Sequence, residues 1–243
     1  MIEAWREVGT ARAGGMLLIG DHASNRVPAD IDLGIDPALL DQHIAVDIGV
    51  AAVAARLVAM GAVDAAILGG VSRLVVDCNR DEDAPGVLPL ASDGHAIPGN
   101  RLDAAERAAR LVRFFHPYHA HITATIAAHR PAMILSLHSF TPSLASDPDQ
   151  ARPWHVGVLY NDDDRLAGVA IAALEGEGLI VGDQLPYSGK LLNATMNRHA
   201  EAHGIPYIGI EMRQDLVGDA DGQARFAGWL AAMCRKAALN LPA

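Results

Sequence analysis

The sequence predicts a three-layer α/β fold, in which helices cover both faces of a mostly parallel, mixed sheet. Short apolar runs alternate along the chain with longer segments whose apolar residues recur at helical spacing. Hydrophobic residues make up 51% of the 243 residues and aromatic residues only 5%. This composition provides a large core of mainly aliphatic side chains, which suits helices packed on a parallel sheet. We expect a single domain over residues 1–243, because no linker divides the chain.

The first apolar run, Met16–Gly20, ends directly in the polar segment DHASN at residues 21–25. This pattern is typical of a buried strand followed by a functional loop. Short apolar runs predict further strands at residues 65–68, 74–77, 132–137, 154–160, 179–181 and 207–210. The run at 132–137 is followed by His138 and the run at 207–210 by Glu211, so both strands end in a titratable residue.

Helical periodicity predicts a first helix over residues 39–60, which begins after Asp36-Pro37 and stops at Gly61. Further helices are predicted at residues 102–128, with an interruption near Pro117, and at 164–177, 194–203 and 221–239. The segment 81–99 contains three prolines and three glycines without periodicity. We expect it to be a long surface excursion that shapes a site.

Composition also limits the class of partner. The two cysteines are too few for a disulfide framework, and the first ten residues lack the apolar core of a signal peptide, so we expect a cytoplasmic protein. No apolar run approaches the roughly 20 residues that span a bilayer, so we expect no membrane partner. The net charge of -10 argues against nucleic acid, which requires a basic face. A small molecule is the expected ligand.

Ligands of open α/β sheets bind outside the carboxyl ends of the strands, so the polar residues that follow apolar runs are the candidates for a site. These residues are His22, Asn25, Asn79, Arg80, His138, Glu211 and Arg213. Two imidazoles, a carboxylate, two guanidiniums and amides suit metal-assisted attack on a carbonyl beside a carboxylate. The spacing alone does not establish this chemistry.

Six motifs in a fixed order carry a more specific resemblance. They are DHASNRVP (residues 21–28), HIAVDIG (43–49), SRLVVDCNR (72–80), LHS (137–139), PYSG (186–189) and IEMRQDL (210–216). With these motifs, nearly the whole chain resembles the N-formylglutamate amidohydrolase family. That family is in turn similar to zinc exopeptidases of the carboxypeptidase type, which implies a zinc-exopeptidase-like fold.

The resemblance implies a role for each matching residue. His22 and His138 correspond to zinc ligands, Asn79 and Arg80 to a clamp for a substrate carboxylate, and Glu211 to the general base. The implied reaction is hydrolysis of an N-formyl or N-acyl acidic amino acid, which releases formate and glutamate from N-formylglutamate. Further candidates for substrate binding are Asn25, Arg26, Arg73, Tyr187, Ser188 and Arg213.

The third metal ligand departs from the carboxypeptidase pattern. That pattern has a glutamate three residues after the first histidine, where this chain has Asn25, and an amide is a poor zinc ligand. Asp47, within the predicted helix, is the candidate replacement. It could instead orient His22 from outside the ligand set, or be an ordinary carboxylate on a helix. Zinc is implied by the resemblance, although manganese or iron also suits two histidines and a carboxylate.

Other functions and other residues have plainer interpretations. The chain could be a deacylase or carboxypeptidase of different specificity, or a metal-free protein that binds a carboxylate ligand. His199 and His203 have the spacing of a zinc-protease helix, but the intervening glutamate is misplaced, so we expect a solvated helix face. The acidic run at residues 162–164 is expected to cap a helix.

Overall fold

The computed structural model describes residues 2–241, and its strands are β1 (Trp5–Gly9), β2 (Met16–Gly20), β3 (Ala65–Gly69), β4 (Ala91–Ser92), β5 (His95–Ala96), β6 (Met133–Phe140), β7 (Val156–Leu159), β8 (Val181–Asp183) and β9 (Tyr207–Arg213). Seven of these form one sheet in the order β1-β3-β2-β6-β9-β7-β8, while β4 and β5 form a separate hairpin. The four central strands β3, β2, β6 and β9 are parallel, whereas β1 is antiparallel to β3 and β7 to β9. The predicted mostly parallel, mixed sheet is confirmed.

Helices cover both faces of the sheet. Their bounds are α1 (Val50–Ala59), α2 (Ala104–Arg110), α3 (His116–His129), α4 (Ala167–Glu175), α5 (Ala194–His199) and α6 (Ala220–Ala238). Successive strand residues point to opposite faces, so Leu18 joins a core with α1, α4 and α6, while Leu17 and Ile19 join a core with α3 and α5. No helix in residues 2–241 combines the length and apolarity needed to cross a membrane.

The first helix is much shorter than the predicted helix over residues 39–60. A 3-10 turn occupies Pro37–Asp41, turns follow, and α1 begins only at Val50. The reason is Gly49, whose φ of +84° lies in the left-handed region and interrupts helical geometry. A Cβ at this position would lie 2.6 Å from the Val217 carbonyl oxygen, so the close approach also requires glycine. Asp47 therefore lies in a turn and not on a helix.

The predicted strand at residues 74–77 is wrong, because these residues form a turn. Its apolar side chains are buried in the core below the surface excursion, which explains the misleading apolar run. Ser72 fixes the turn, because its hydroxyl accepts from the Leu74 backbone N–H (3.2 Å) and its carbonyl accepts from the Val75 N–H (2.8 Å). The sequence does not predict the edge strand β1, because this strand is largely exposed and lacks a continuous apolar run.

The other predicted elements are present with shifted bounds. Strands β6 and β9 extend further than predicted, so His138 and Glu211 lie within strands rather than after them. The interruption near Pro117 is a π-helical turn at Leu111–Phe115 between α2 and α3. The segment 81–99 is an excursion, as expected, and it contains the β4-β5 hairpin.

Candidate active site

A cavity of about 230 Å³ opens at the carboxyl end of the central parallel strands. Its floor includes His22, which follows β2, and His138 and Glu211, which lie opposite each other in the β6-β9 register. Pockets for drug-sized ligands usually have volumes of roughly 300–1,000 Å³, so this cavity suits a smaller ligand.

Three potential metal ligands converge on this floor. His22, Asp47 and His138 are all buried, and each offers an atom within 4.8 Å of the others. Asp47 Oδ2 lies 2.9 Å from His138 Nδ1 and 3.3 Å from His22 Nδ1. The Asp47 backbone N–H donates to the His22 carbonyl (2.9 Å), which fixes the turn before α1 against the end of β2. The two Nδ1 atoms therefore face one carboxylate oxygen.

The opposite nitrogen of each imidazole faces a second carboxylate. His22 Nε2 lies 2.7 Å from Asp77 Oδ1, and His138 Nε2 lies 3.4 Å from Asp21 Oδ2. Asp21 in turn accepts hydrogen bonds from the hydroxyls of Tyr118 (2.8 Å) and Thr195 (2.9 Å). Histidines that bind metals commonly have such a partner, because it fixes the ring and leaves the other nitrogen free for the metal.

The buried carboxylates and imidazoles of this site strongly shift one another's pKa values. Burial opposes ionisation of Asp47, but the neighbouring charge of His22 and hydrogen bonds from both imidazoles keep its pKa well below the usual range. Burial likewise disfavours charge on His138, but the carboxylates of Asp21 and Asp47 raise its pKa well above the ordinary value. Without another cation, the cluster thus favours protonated imidazoles between carboxylates.

Glu211 has a different environment. Burial raises its pKa to about 7, the negative charge of Asp47 adds to this effect, and the charges of His138 and Arg73 oppose it. Its Oε2 is buried and has no hydrogen-bond partner among the described residues. Arg213, the alternative salt-bridge partner, binds Asp215 (2.8 Å) instead. A carboxylate that titrates near neutral pH suits proton transfer.

The predicted substrate-binding residues divide into two groups. Asn79, Arg80, Arg73 and Tyr187 line the cavity. The remaining candidates are not among the described residues that line it; they are Asn25, Arg26, Ser188 and Arg213.

Local contacts explain why these four residues are elsewhere. The Asn25 side chain donates to Asp41 Oδ1 (2.8 Å), and Arg26 Nε donates to the Gly70 carbonyl (3.3 Å). The Ser188 hydroxyl accepts from the Lys190 backbone N–H (3.3 Å), and Arg213 binds Asp215. These four residues thus have partners outside the residues that line the cavity, and their assignment to the site stays a prediction.

Two plainer sequence interpretations are also corrected. His203 is exposed, as expected, but His199 is buried, and its Nε2 lies 2.9 Å from His119 Nδ1. Helix α4 begins at Ala167 without a side-chain cap, so the acidic run does not cap it. Asp163 pairs instead with Arg165.

The buried pair of imidazoles predicts a dependence of stability on pH. Burial lowers the pKa of His119 to about 3 and that of His199 to about 4, against 6.5 for an ordinary histidine. The unfolded chain therefore binds protons at higher pH than the folded chain, so the free energy of unfolding falls as the pH drops from about 6.5 towards about 4. In chelator, the urea midpoint of the wild type should fall more between pH 7 and pH 5 than that of His199→Gln. Parallel pH profiles for the two proteins would contradict this assignment.

Sequence reasoning assigned no role to several residues around the site. Asp21 and Asp77 lie inside the quoted motifs, but nothing in their spacing shows that they face the imidazoles. His43 and Asp93 line the cavity and pair with each other at 2.9 Å. Arg152, which contacts Tyr187, lies in an irregular loop without a recognisable pattern.

Known proteins resemble this chain in sequence and in fold. The family model for N-formylglutamate amidohydrolase matches residues 14–218. A gene product from Agrobacterium tumefaciens with a known crystal structure has 34% sequence identity to this chain. The two structures align with a TM-score of 0.90 over 97% of this chain and 94% of that chain. An N-formylglutamate amidohydrolase from Ralstonia eutropha is 20% identical and shares the fold, with a TM-score of 0.70 over 98% of this chain and 97% of that chain. No curated protein matches the sequence.

The match to the family model covers most of the chain, and the matched range includes His22, Asp47, His138 and Glu211. The chain therefore belongs to the N-formylglutamate amidohydrolase family and is an amidohydrolase.

Proposed function

We propose that this amidohydrolase is metal-dependent and cleaves the amide of N-formyl-L-glutamate or a closely related N-acyl amino acid, with zinc bound by His22, Asp47 and His138. The observation that carries the proposal is the convergence of three potential ligand atoms beside the buried carboxylate of Glu211. Imidazole nitrogen and carboxylate oxygen are common zinc ligands in catalytic sites with three protein ligands. Membership of the family supports the choice of substrate.

The charges around the cluster also fit a divalent cation. Four buried carboxylates surround it, those of Asp21, Asp47, Asp77 and Glu211. The nearby guanidiniums of Arg73 and Arg80 offset two of these charges, so two negative charges remain when both imidazoles are neutral and all four carboxylates are ionised. Among the described residues, Glu211 Oε2 has no hydrogen-bond partner, and Asp21 Oδ2 has only the ion-pair contact with His138 Nε2 at 3.4 Å. When bound, zinc would supply Lewis-acid polarisation of the scissile carbonyl and activation of the attacking water.

The residues of the chain then have distinct tasks. Glu211 accepts a proton from the attacking water as the new C–O bond forms, and returns it to the leaving nitrogen as the C–N bond breaks. The products are the free amino acid and formate. Arg80 at the cavity wall holds a substrate carboxylate, because a guanidinium can bind its two oxygens together. Asn79 also lines the cavity, and its side chain is fixed there because its Oδ1 accepts from the Thr195 backbone N–H (3.1 Å).

The direct test is formate release from N-formyl-L-glutamate by zinc-loaded protein, chelator-treated protein and His138→Ala. We expect release only from the zinc-loaded wild type, and its restoration when zinc is added back to the chelated protein. A parallel panel of N-acetyl-L-glutamate, N-formyl-L-aspartate and N-formyl-L-methionine defines the acyl and amino-acid preference. Absence of hydrolysis of every substrate with any divalent metal would refute the proposed reaction.

If zinc binds at the proposed site, Asp77, whose carboxylate contacts His22 Nε2, should affect the zinc affinity. Asp77→Asn should lower zinc affinity by about 10- to 100-fold, because the partner of a ligating histidine orients the ring and increases its basicity. Competition with a chromophoric chelator measures this change. Asp215→Asn, at the Arg213 pair outside the cavity, is the matched control. Equal affinity in the Asp77 variant and the wild type would show that this contact does not support metal binding.

A further inference from the structure

Arg152 is a buried cation without a carboxylate partner. It is only 5% exposed, and no described carboxylate lies within ion-pair distance of it. Its Nε and Nη2 donate to Gln150 Oε1 (3.1 and 2.9 Å), and its Nη1 lies 3.4 Å from the Thr141 carbonyl. These neutral partners accept hydrogen bonds from three of its five N–H groups but do not neutralise its charge. Burial of an uncompensated charge is costly, so its presence requires a reason.

The remaining contact of Arg152 connects it to the cavity. Its Nη1 donates to the Tyr187 hydroxyl oxygen (2.9 Å), and its guanidinium carbon lies 5.0 Å from the centre of the Tyr187 ring. Tyr187 and Thr141 both line the cavity, so Arg152 lies directly behind the wall that they form.

The direction of this hydrogen bond leaves Tyr187 with an unused donor. An arginine can only donate, so the Tyr187 oxygen is the acceptor, and its own proton remains available. No described residue accepts that proton. Burial is the main reason that the pKa of Tyr187 is raised, so the hydroxyl keeps its proton at neutral pH. A hydroxyl that accepts from a guanidinium is polarised towards donation to an anion.

The other two arginines that line the cavity, Arg73 and Arg80, have carboxylate partners. Arg73 binds Asp47 (3.3 Å) and Asp77 (2.8 Å), so it is neutralised by the proposed metal site. Arg80 lies 4.0 Å from Asp77 and retains donors for one substrate carboxylate. The cavity wall at Tyr187 is therefore a second position at which positive charge faces the cavity, and no described carboxylate is in ion-pair contact with Arg152 there. Glu211 also lines the cavity, and its charge contributes to the raised pKa of Tyr187.

We propose that Arg152, acting through the Tyr187 hydroxyl, is a specificity-determining positioning residue for the second carboxylate of the dicarboxylic substrate. This inference rests on the proposed function for its description of the substrate. Arg152 itself does not touch the substrate; it supplies the charge and fixes the tyrosine that does.

The kinetic test compares N-formyl-L-glutamate with N-formyl-L-glutamine, which has the same shape but a neutral side chain. We expect the ratio of the two kcat/KM values to fall by about tenfold in Arg152→Gln and in Tyr187→Phe, the scale of a lost charge-assisted hydrogen bond. The change should appear in KM for the glutamate substrate, with the glutamine substrate nearly unaffected. Arg152→Lys should restore part of the ratio, and Arg165→Gln, at a surface ion pair, should leave it unchanged.

A binding measurement separates failure of this inference from failure of the proposed reaction. Calorimetry with glutarate and pentanoate, a dicarboxylate and a monocarboxylate of equal length, requires no turnover. Tighter binding of glutarate by the wild type that is lost in Tyr187→Phe supports the second carboxylate site even if no substrate is hydrolysed. If Arg152→Gln does not fold, Tyr187→Phe and Arg152→Lys decide the outcome. An unchanged selectivity ratio, or an equal loss for both members of each pair, overturns the proposal and leaves Arg152 a structural residue of its loop.

Discussion

Replacement of Glu211 by glutamine is expected to lower kcat by about 10²- to 10⁴-fold, which is the usual contribution of general acid-base catalysis. Glutamine keeps the shape of the side chain but cannot accept the proton of the attacking water. Glu211 is buried opposite His138, and its pKa of about 7 allows it both to accept and to release a proton near neutral pH. The measurement is formate release at saturating zinc and substrate.

Metal content distinguishes this catalytic role from a role in metal binding. Glu211→Gln should retain stoichiometric zinc and a KM within about threefold of the wild type, because the removed interaction acts in the transition state. Glu175→Gln, an exposed glutamate at the end of α4, is the matched control for the loss of one carboxylate. A Glu211 variant with full activity would exclude it as the base, and one that loses its zinc would make it a metal ligand.

The sequence contains enough information to predict the sheet and the histidines at its carboxyl edge. Buried parallel strands are continuous apolar runs, so His22, His138 and Glu211 are visible in the sequence as the titratable residues that come after these runs. Strand β2 ends just before His22, whereas β6 and β9 continue past His138 and Glu211. The same periodicity overestimates α1, because the apolar pattern continues through turns that pack against the core. The helix begins just after Gly49, which has a left-handed φ and lies close to Val217 of a distant segment. The periodicity does not reveal this boundary.

Contacts between segments that are distant in sequence could not be predicted in the same way. The pairing of His22 with Asp77 joins residues 55 positions apart, and that of Arg152 with Tyr187 joins residues 35 positions apart. Arginine in an irregular loop is usually a solvated residue, so its sequence context gives no sign that Arg152 is buried. The reverse holds for Arg213, which follows an apolar run but binds its near neighbour Asp215.

Replacement of Asp47 by asparagine is expected to reduce zinc affinity by more than the roughly 10- to 100-fold typical of an outer-layer residue. Asp47 Oδ2 is the oxygen on which His22 Nδ1 and His138 Nδ1 converge, and an amide is neutral and a weaker zinc ligand. Amidohydrolase activity should therefore be lost at limiting zinc and partly recovered at high zinc. Competition with a chromophoric chelator, followed by formate release across a zinc titration, measures both effects.

Stability must be measured with this variant, because Asp47 also forms an ion pair with Arg73 at 3.3 Å. Loss of one partner leaves a guanidinium less well compensated, so Asp47→Asn should lower Tm even in chelator. Asp47→Glu separates the two roles, since it keeps the charge but moves the oxygen by one methylene: we expect Tm in chelator close to the wild type, with zinc affinity still reduced. If Asp47→Asn binds zinc as tightly as the wild type, the carboxylate orients the imidazoles without being a ligand. In that case the third ligand would be another carboxylate near the imidazoles, and Glu211→Gln, Asp21→Asn and Asp77→Asn would identify it by their zinc affinities.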